Sequence, residues 1–213
     1  MLEEILNGNI EKKTITQIYG PPGVGKTNIC IISMIKTIEQ GKKVVYIDTE
    51  GGLSIERVKQ IFKEDFNTLL KNILLYEPST FEEQTKVLEK ILLLENIGLI
   101  IIDGIVSLYR LELCDDIVEN TKLNRILGKQ ISTLLKISRK KDSGILITNQ
   151  VKDSLSGFEP AGGRLLEYWS KSIIRAEKKD TYRKLTLEKH RCFKEGEILK
   201  FIIIENGIEI LKN

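Results

Sequence analysis

The stretch that most limits what this chain can become is ITQIYGPPGVGKT, residues 15–27: a short apolar run, a glycine-rich turn, then Lys and Thr. Residues 20–27 fit G-x-x-x-x-G-K-[ST], with a strand predicted before the turn and a helix after it, the context that gives the pattern its meaning. Glycines in such a turn let backbone N–H groups converge on an anion. The helix that follows aims the positive end of its dipole at the same point. Lys26 is then placed to neutralise β- and γ-phosphate oxygens, and the Thr27 hydroxyl to ligate Mg²⁺. Gly20, Pro21, Pro22, Gly23, Val24, Gly25, Lys26 and Thr27 together form the expected nucleotide site, with ATP and Mg²⁺ as its ligands.

Such a unit belongs to an alternating fold. Apolar runs at 14–20, 43–49, 72–77, 98–104 and 144–150 are separated by amphipathic stretches near 26–39, 54–64, 81–95 and 120–140. A parallel sheet covered by helices on both faces requires this pattern. Beyond Gly163, residues 171–177, 184–190 and 198–204 read as further strands, and Asn206-Gly207 as a hairpin turn. The expected fold class is therefore α/β: a mostly parallel sheet flanked by helices, with an antiparallel C-terminal extension. A chain of 213 residues suffices for one such domain, and no repeat, linker or low-complexity tract divides it.

Three polar positions at predicted strand tips carry the remaining chemistry. Asp103 closes LIIIDG, where a carboxylate at the end of a dry strand can hold magnesium; an Asp that only caps the next turn would occupy the same place. Many ATP-driven motors follow that Asp with a Glu, but here Gly104 follows. The water-activating base must come from elsewhere, and Glu50 in YIDTEGG is the candidate, at the tip of a neighbouring strand. Asn149-Gln150 ends ITNQV, where an amide can hydrogen-bond the γ-phosphate or the attacking water. The segment after it, VKDSLSGFEPAGG (151–163), is rich in Gly, Ser and charge. It is expected to be a mobile loop that an amide could switch.

The formal net charge is +3, too small to announce a nucleic-acid partner, but it is unevenly placed. From Lys136 to Lys200 there are 16 Lys and Arg against 9 Asp and Glu, +7, which leaves −4 elsewhere. A polyanion surface and a plain solvated face both fit that imbalance. The start, MLEEILNGNIEKK, lacks the apolar core of a signal peptide, and no apolar run is long enough to span a bilayer. Cys30, Cys114 and Cys192 show no metal-ligand spacing. A cytoplasmic protein with reduced thiols and no membrane partner is expected.

The pieces TITQIYGPPGVGKTN, YIDTEGGLSIERV, LIIIDGIVSLYRLE, ITNQV, PAGG and LEKHR, in this order and spacing, resemble the RecA-type recombinase core, and within it the archaeal RadB family of small recombinase paralogues. The resemblance spans nearly the whole chain. It implies a RecA-like P-loop ATPase over residues 1–213, with phosphate contacts from Gly20 to Thr27, magnesium support at Asp103, the catalytic glutamate at Glu50 and a sensing glutamine at Gln150. It assigns the segments after Asp103 and after Gln150 to DNA, preferentially single-stranded, where Arg110, Lys152 and Arg164 are the nearest basic residues. Lys189 and Arg191 are the candidates to complete a neighbouring subunit's site.

The family's full-length recombinases carry an N-terminal helical DNA-binding domain and a docking linker. This sequence shows neither, so strand exchange is not expected. The expected role is an ATP-binding, DNA-associated accessory of recombination and repair with weak ATPase activity, working beside a RadA-like main recombinase and open to homodimer formation. The rival is a nucleotide-stabilised mediator that regulates that recombinase and touches DNA little. A clock-type autokinase would need a duplicated domain, and an AAA-type motor would need Asp-Glu at 103–104.

Overall fold

The computed structural model describes residues 1–63, 66–154 and 157–211, without the side chains of 152–159. Among these, eleven strands and eight α-helices appear. The strands are β1 (Ile15–Tyr19), β2 (Lys43–Asp48), β3 (Ile73–Tyr76), β4 (Ile97–Asp103), β5 (Gly144–Asn149), β6 (Val151–Ser154), β7 (Gly157–Pro160), β8 (Ser172–Lys178), β9 (Arg183–His190), β10 (Ile198–Ile204) and β11 (Gly207–Leu211). The helices are α1 (Leu2–Leu6), α2 (Lys26–Glu39), α3 (Ile55–Ile61), α4 (Phe66–Asn72), α5 (Phe81–Ile91), α6 (Ser107–Leu111), α7 (Ile117–Lys141) and α8 (Gly163–Trp169).

Nine strands form one sheet in the order β11-β10-β9-β8-β1-β5-β4-β2-β3. β4 shows why the apolar runs are continuous rather than alternating. Leu99 and Ile101 enter the core on the α2 face, while Ile100 and Ile102 enter the core against α5 and α7. A strand buried on both faces has no polar side to show. Each fully buried Ile contributes about 1.5–3 kcal/mol relative to an exposed one, so these four residues anchor the sheet centre and hold Asp103 at its tip. Among the described residues no helix is long and apolar enough to cross a membrane, and the three cysteines are free.

Two expectations change. β8 runs parallel to β1, with Thr16 opposite Ser172 and Tyr19 opposite Arg175. The antiparallel extension therefore begins one strand later, at β9. The segment after Gln150, expected as a mobile loop, contains a two-stranded antiparallel hairpin, β6 with β7, in which Val151 faces Pro160 and Ser154 faces Gly157. Asn149 closes its base by donating to the Ala161 carbonyl at 2.5 Å, and the Ala161 N–H returns a bond to the Gln150 carbonyl at 2.9 Å. Composition pointed to a loop, but four-residue strands pair when their ends are pinned this way.

Candidate nucleotide site

The six mutually parallel strands, β8, β1, β5, β4, β2 and β3, point their C-terminal tips to one pole, and the phosphate turn, Glu50, Asp103 and Gln150 meet there. β1 delivers the turn at Gly20, with Gly23 at φ +75° and Gly25 at φ +99° in the left-handed region that L side chains avoid. Gly20 has a further constraint, because a Cβ there would lie 2.2 Å from the Ala176 carbonyl oxygen on β8. α2 begins at Lys26, so its first turn aims at the loop. The Lys26 ammonium donates to the carbonyls of Gly20 at 2.8 Å and Pro21 at 3.1 Å. Burial lowers its pKa, opposed by the Glu50 and Asp103 carboxylates nearby.

Asp103 is 3% exposed and its carboxylate is fully engaged. Oδ1 accepts from Thr148 Oγ1 at 2.5 Å; Oδ2 accepts from Thr27 Oγ1 at 2.8 Å and Tyr46 OH at 2.9 Å. Burial pushes its pKa up, while those three hydrogen bonds pull it down. The residues fit a hard divalent cation: a hydroxyl and a carboxylate oxygen lie side by side at the foot of the phosphate turn.

A carboxyl with a raised folded pKa contributes stability that is present below its unfolded pKa and lost as pH rises through the folded one. Ionised Asp103 is therefore expected to weaken the fold at neutral pH. Asp103→Asn is expected to melt higher than wild type at pH 7 without nucleotide, by about 2–4 °C for each kcal/mol recovered. The gain should shrink as pH falls, and the extra stabilisation by Mg²⁺ with nucleotide should vanish; melts at pH 5 and 7, with and without Mg²⁺–ADP, test this.

Glu50 reaches the same pole on the turn after β2. Its Oε1 accepts from Ser107 Oγ at 2.5 Å and from Gln150 Nε2 at 2.9 Å, so the predicted base and the predicted sensor touch. Several residues that hold this arrangement were not singled out from the sequence. Asp48, 3% exposed, accepts the N–H groups of Glu50, Gly51 and Gly52 on Oδ1 and of Leu53 on Oδ2. Thr148 ties the Gly104 N–H to Asp103, and Ser107 opens α6. Arg57, on α3, donates to Asn28 Oδ1 at 2.7 Å and to the carbonyls of Ile204, Glu205 and Gly207 in the β10–β11 turn. The text DTEGG carried a signal for Asp48, since an Asp before a Gly pair often caps its own turn. Ser107 and Arg57 carried none.

The remaining predicted residues are spread out. Arg110 is exposed on α6 and Arg164 is exposed on α8. The two segments adjoin, because a Cβ at Gly162 would meet Val106 Cγ1 at 2.9 Å. Lys152 lies on β6, and its side chain is outside the described residues. Lys189 and Arg191 fall toward the opposite pole, where Lys189 pairs with Ile173 in register. Within this chain Lys189 donates to the Glu167 carbonyl at 2.6 Å and Arg191 pairs with Glu11. The His190 side chain is largely covered, its Nδ1 accepting the N–H groups of Cys192 and Phe193.

Residues 1–210 match the family model described as Rad51. The chain is 78% identical over 211 residues to the DNA repair and recombination protein RadB of Methanococcus maripaludis, covering 99% of this chain and 98% of the relative. It is 54% identical to the protein so named in Methanocaldococcus jannaschii, covering 99% and 100%. Among solved structures, the crystal structure of the RadB recombinase superposes with a TM-score of 0.79 at 32% identity, covering 99% of this chain and 96% of that one.

Proposed function

We propose, from the premise that this chain belongs to the Rad51 family and to the RadB proteins within it, that it is an ATP-binding, DNA-associated accessory protein of homologous recombination and repair with slow Mg²⁺-dependent ATPase activity. The observation that carries this is the joining of Glu50, Gln150 and Ser107 on one carboxylate oxygen, beside the Thr27–Asp103 pair.

In this reading the turn from Gly20 to Thr27 wraps the phosphates and Lys26 exchanges its loop carbonyls for phosphate oxygens. Mg²⁺ held by Thr27 and Asp103 would supply charge neutralisation on the transferring phosphoryl group. Glu50 orients the attacking water and takes up its proton. Gln150 immediately precedes the β6–β7 hairpin, so a change of partner at its amide is passed into the segment proposed to meet DNA. Arg110, Lys152 and Arg164 are the DNA contacts proposed there. Lys189 and Arg191 act only from a second chain, on that chain's neighbour. Partner recombinases of the RadA type are the expected company, in the cytoplasm.

Glu50→Gln keeps the shape and the hydrogen bonds but removes the base. ATP hydrolysis should fall about a hundredfold or more, with nucleotide affinity unchanged. Rates measured with and without single-stranded DNA decide between readings. DNA stimulation that disappears in the variant supports a DNA-coupled ATPase. Equal, near-zero rates in both proteins with ATP still bound would favour the mediator.

A further inference from the structure

The pole opposite the nucleotide site is ringed by lysine. Parallel strands share their entry side, and from β8 to β2 four of the five entries are basic: Lys171 before β8, Lys12 and Lys13 before β1, Lys140 and Lys141 before β5, Lys42 and Lys43 at β2, with Glu95 and Asn96 before β4. The sheet order β8-β1-β5-β4-β2 sets these groups in a row. Four strand spacings make that row about 19 Å long. Lys12, Lys13, Lys42, Lys140 and Lys171 are exposed.

Local bookkeeping does not use this charge up. Asp142 sits between Lys12 and Lys13, at 2.9 and 3.1 Å from their ammonium groups, and Glu95 is exposed nearby. Glu39 pairs with Lys36 at 3.8 Å and is spoken for. The C-termini of α2, α5, α7 and α8, which lead into β2, β4, β5 and β8, also point here, but a helix end carries about half a negative charge. Seven lysines, less two carboxylates and about two units from the four helices, leave roughly three positive charges on one rim. Between Lys12, Lys42 and Lys141 the rim dips into a recess of about 410 Å³, with Gly8, Asn96 and Gly98 on its walls. Lys42 is steered across it by a bond to Asn96 Oδ1 at 3.0 Å.

We infer that this rim is a second phosphodiester-binding surface, separate from the nucleotide pole and from the segments after β4 and β5. It is a cationic edge with a recess in it, on a protein whose family works on DNA, and it engages the nucleic-acid backbone through charge rather than base edges. The inference goes beyond the proposed function, because it needs no nucleotide and none of the residues at the other pole.

The test is DNA binding by the full chain carrying Lys13→Gln, Lys42→Gln, Lys140→Gln and Lys171→Gln together, on single-stranded and duplex oligonucleotides, titrated over salt. All four positions are exposed or at element ends, and an unchanged melting curve and ATP affinity control for folding. Each lost phosphate contact should flatten the log–log salt slope by about 0.9 on duplex and about 0.7 on single strands, and affinity at low salt should drop about tenfold or more. The substrate with the larger change identifies the form that lies on the rim. Unchanged slopes on both, with Arg110→Ala and Arg164→Ala still weakening binding, would overturn the rim and leave the other pole as the sole DNA site. A wild-type chain without salt-dependent DNA binding would overturn both. Loss of binding to an acidic protein with DNA affinity intact would also overturn it, assigning the rim to a protein partner.

Discussion

A single methyl group at position 104 is expected to lower ATP hydrolysis about a hundredfold or more while leaving nucleotide binding nearly intact. Gly104 has φ +92°, in the left-handed region, where a side chain costs about 1–2 kcal/mol. A Cβ there would lie 2.5 Å from Thr49 Oγ1, 2.7 Å from Ser107 Oγ and 2.8 Å from Glu50 Cγ. Two of the three neighbours resist. The Thr49 hydroxyl is bonded to the carbonyls of Asp103 and Gly104, and Ser107 begins a helix. Glu50 is exposed on a turn and yields first, which breaks its contacts with Ser107 and Gln150. A displacement of about 1 Å in a reacting group is enough for a hundredfold loss. Steady-state hydrolysis, nucleotide titration and a melting curve for Gly104→Ala check this together. A variant with wild-type rate and melting temperature would show that Glu50 does not need this space. The absence of Glu after Asp103 thus has a physical counterpart: the proposed catalytic glutamate, Glu50, reaches the site from the turn after β2, and glycine at 104 leaves room for it.

Asp48→Ala is expected to have the largest effect on stability. The buried carboxylate gathers four consecutive N–H groups, at 3.1, 2.9 and 3.3 Å on one oxygen and 2.9 Å on the other. Bonds to a charged acceptor are each about 1.5–3 kcal/mol in favour of the fold, but the turn is partly open to water, which replaces part of the loss. A net destabilisation of about 2–4 kcal/mol follows, or roughly 5–15 °C in melting temperature for a chain of this size. Asp48→Asn should recover part of it, because one amide oxygen still accepts. Chemical denaturation of the three proteins measures the series. Equal midpoints would mean that Gly51 and Gly52 hold the turn unaided.

How much was legible in the sequence follows from where each interaction is made. The phosphate turn is contiguous, and its glycine conformations, lysine and threonine are all consequences of local spacing. Glu50, Asp103 and Gln150 were readable because each sits at the tip of an unmistakably apolar strand. Their grouping was not: that Gln150 donates to Glu50 depends on β5, β4 and β2 lying side by side in that order. Ser107 is an ordinary helix residue until the turn after β2 is brought against it. The hairpin after Gln150 was hidden because its strands are short and its composition is that of a loop. The pin that orders its base, Asn149 to Ala161, joins residues twelve positions apart. α4 was missed as well, since FNTLLKN has too few turns to show a helical period before β3 begins.

The contacts of Arg57 have a mechanical consequence. Asp48 grips the turn that carries Glu50 as far as Leu53, α3 starts two residues later, and Arg57 on that helix is fastened to the turn between the last two strands. The edge of the sheet and the predicted base are therefore links of one short linkage. A load applied to the final hairpin, by a neighbour that pairs with it or pulls on it, would reach Glu50 through about three hydrogen-bonded joints and without passing through the phosphate turn.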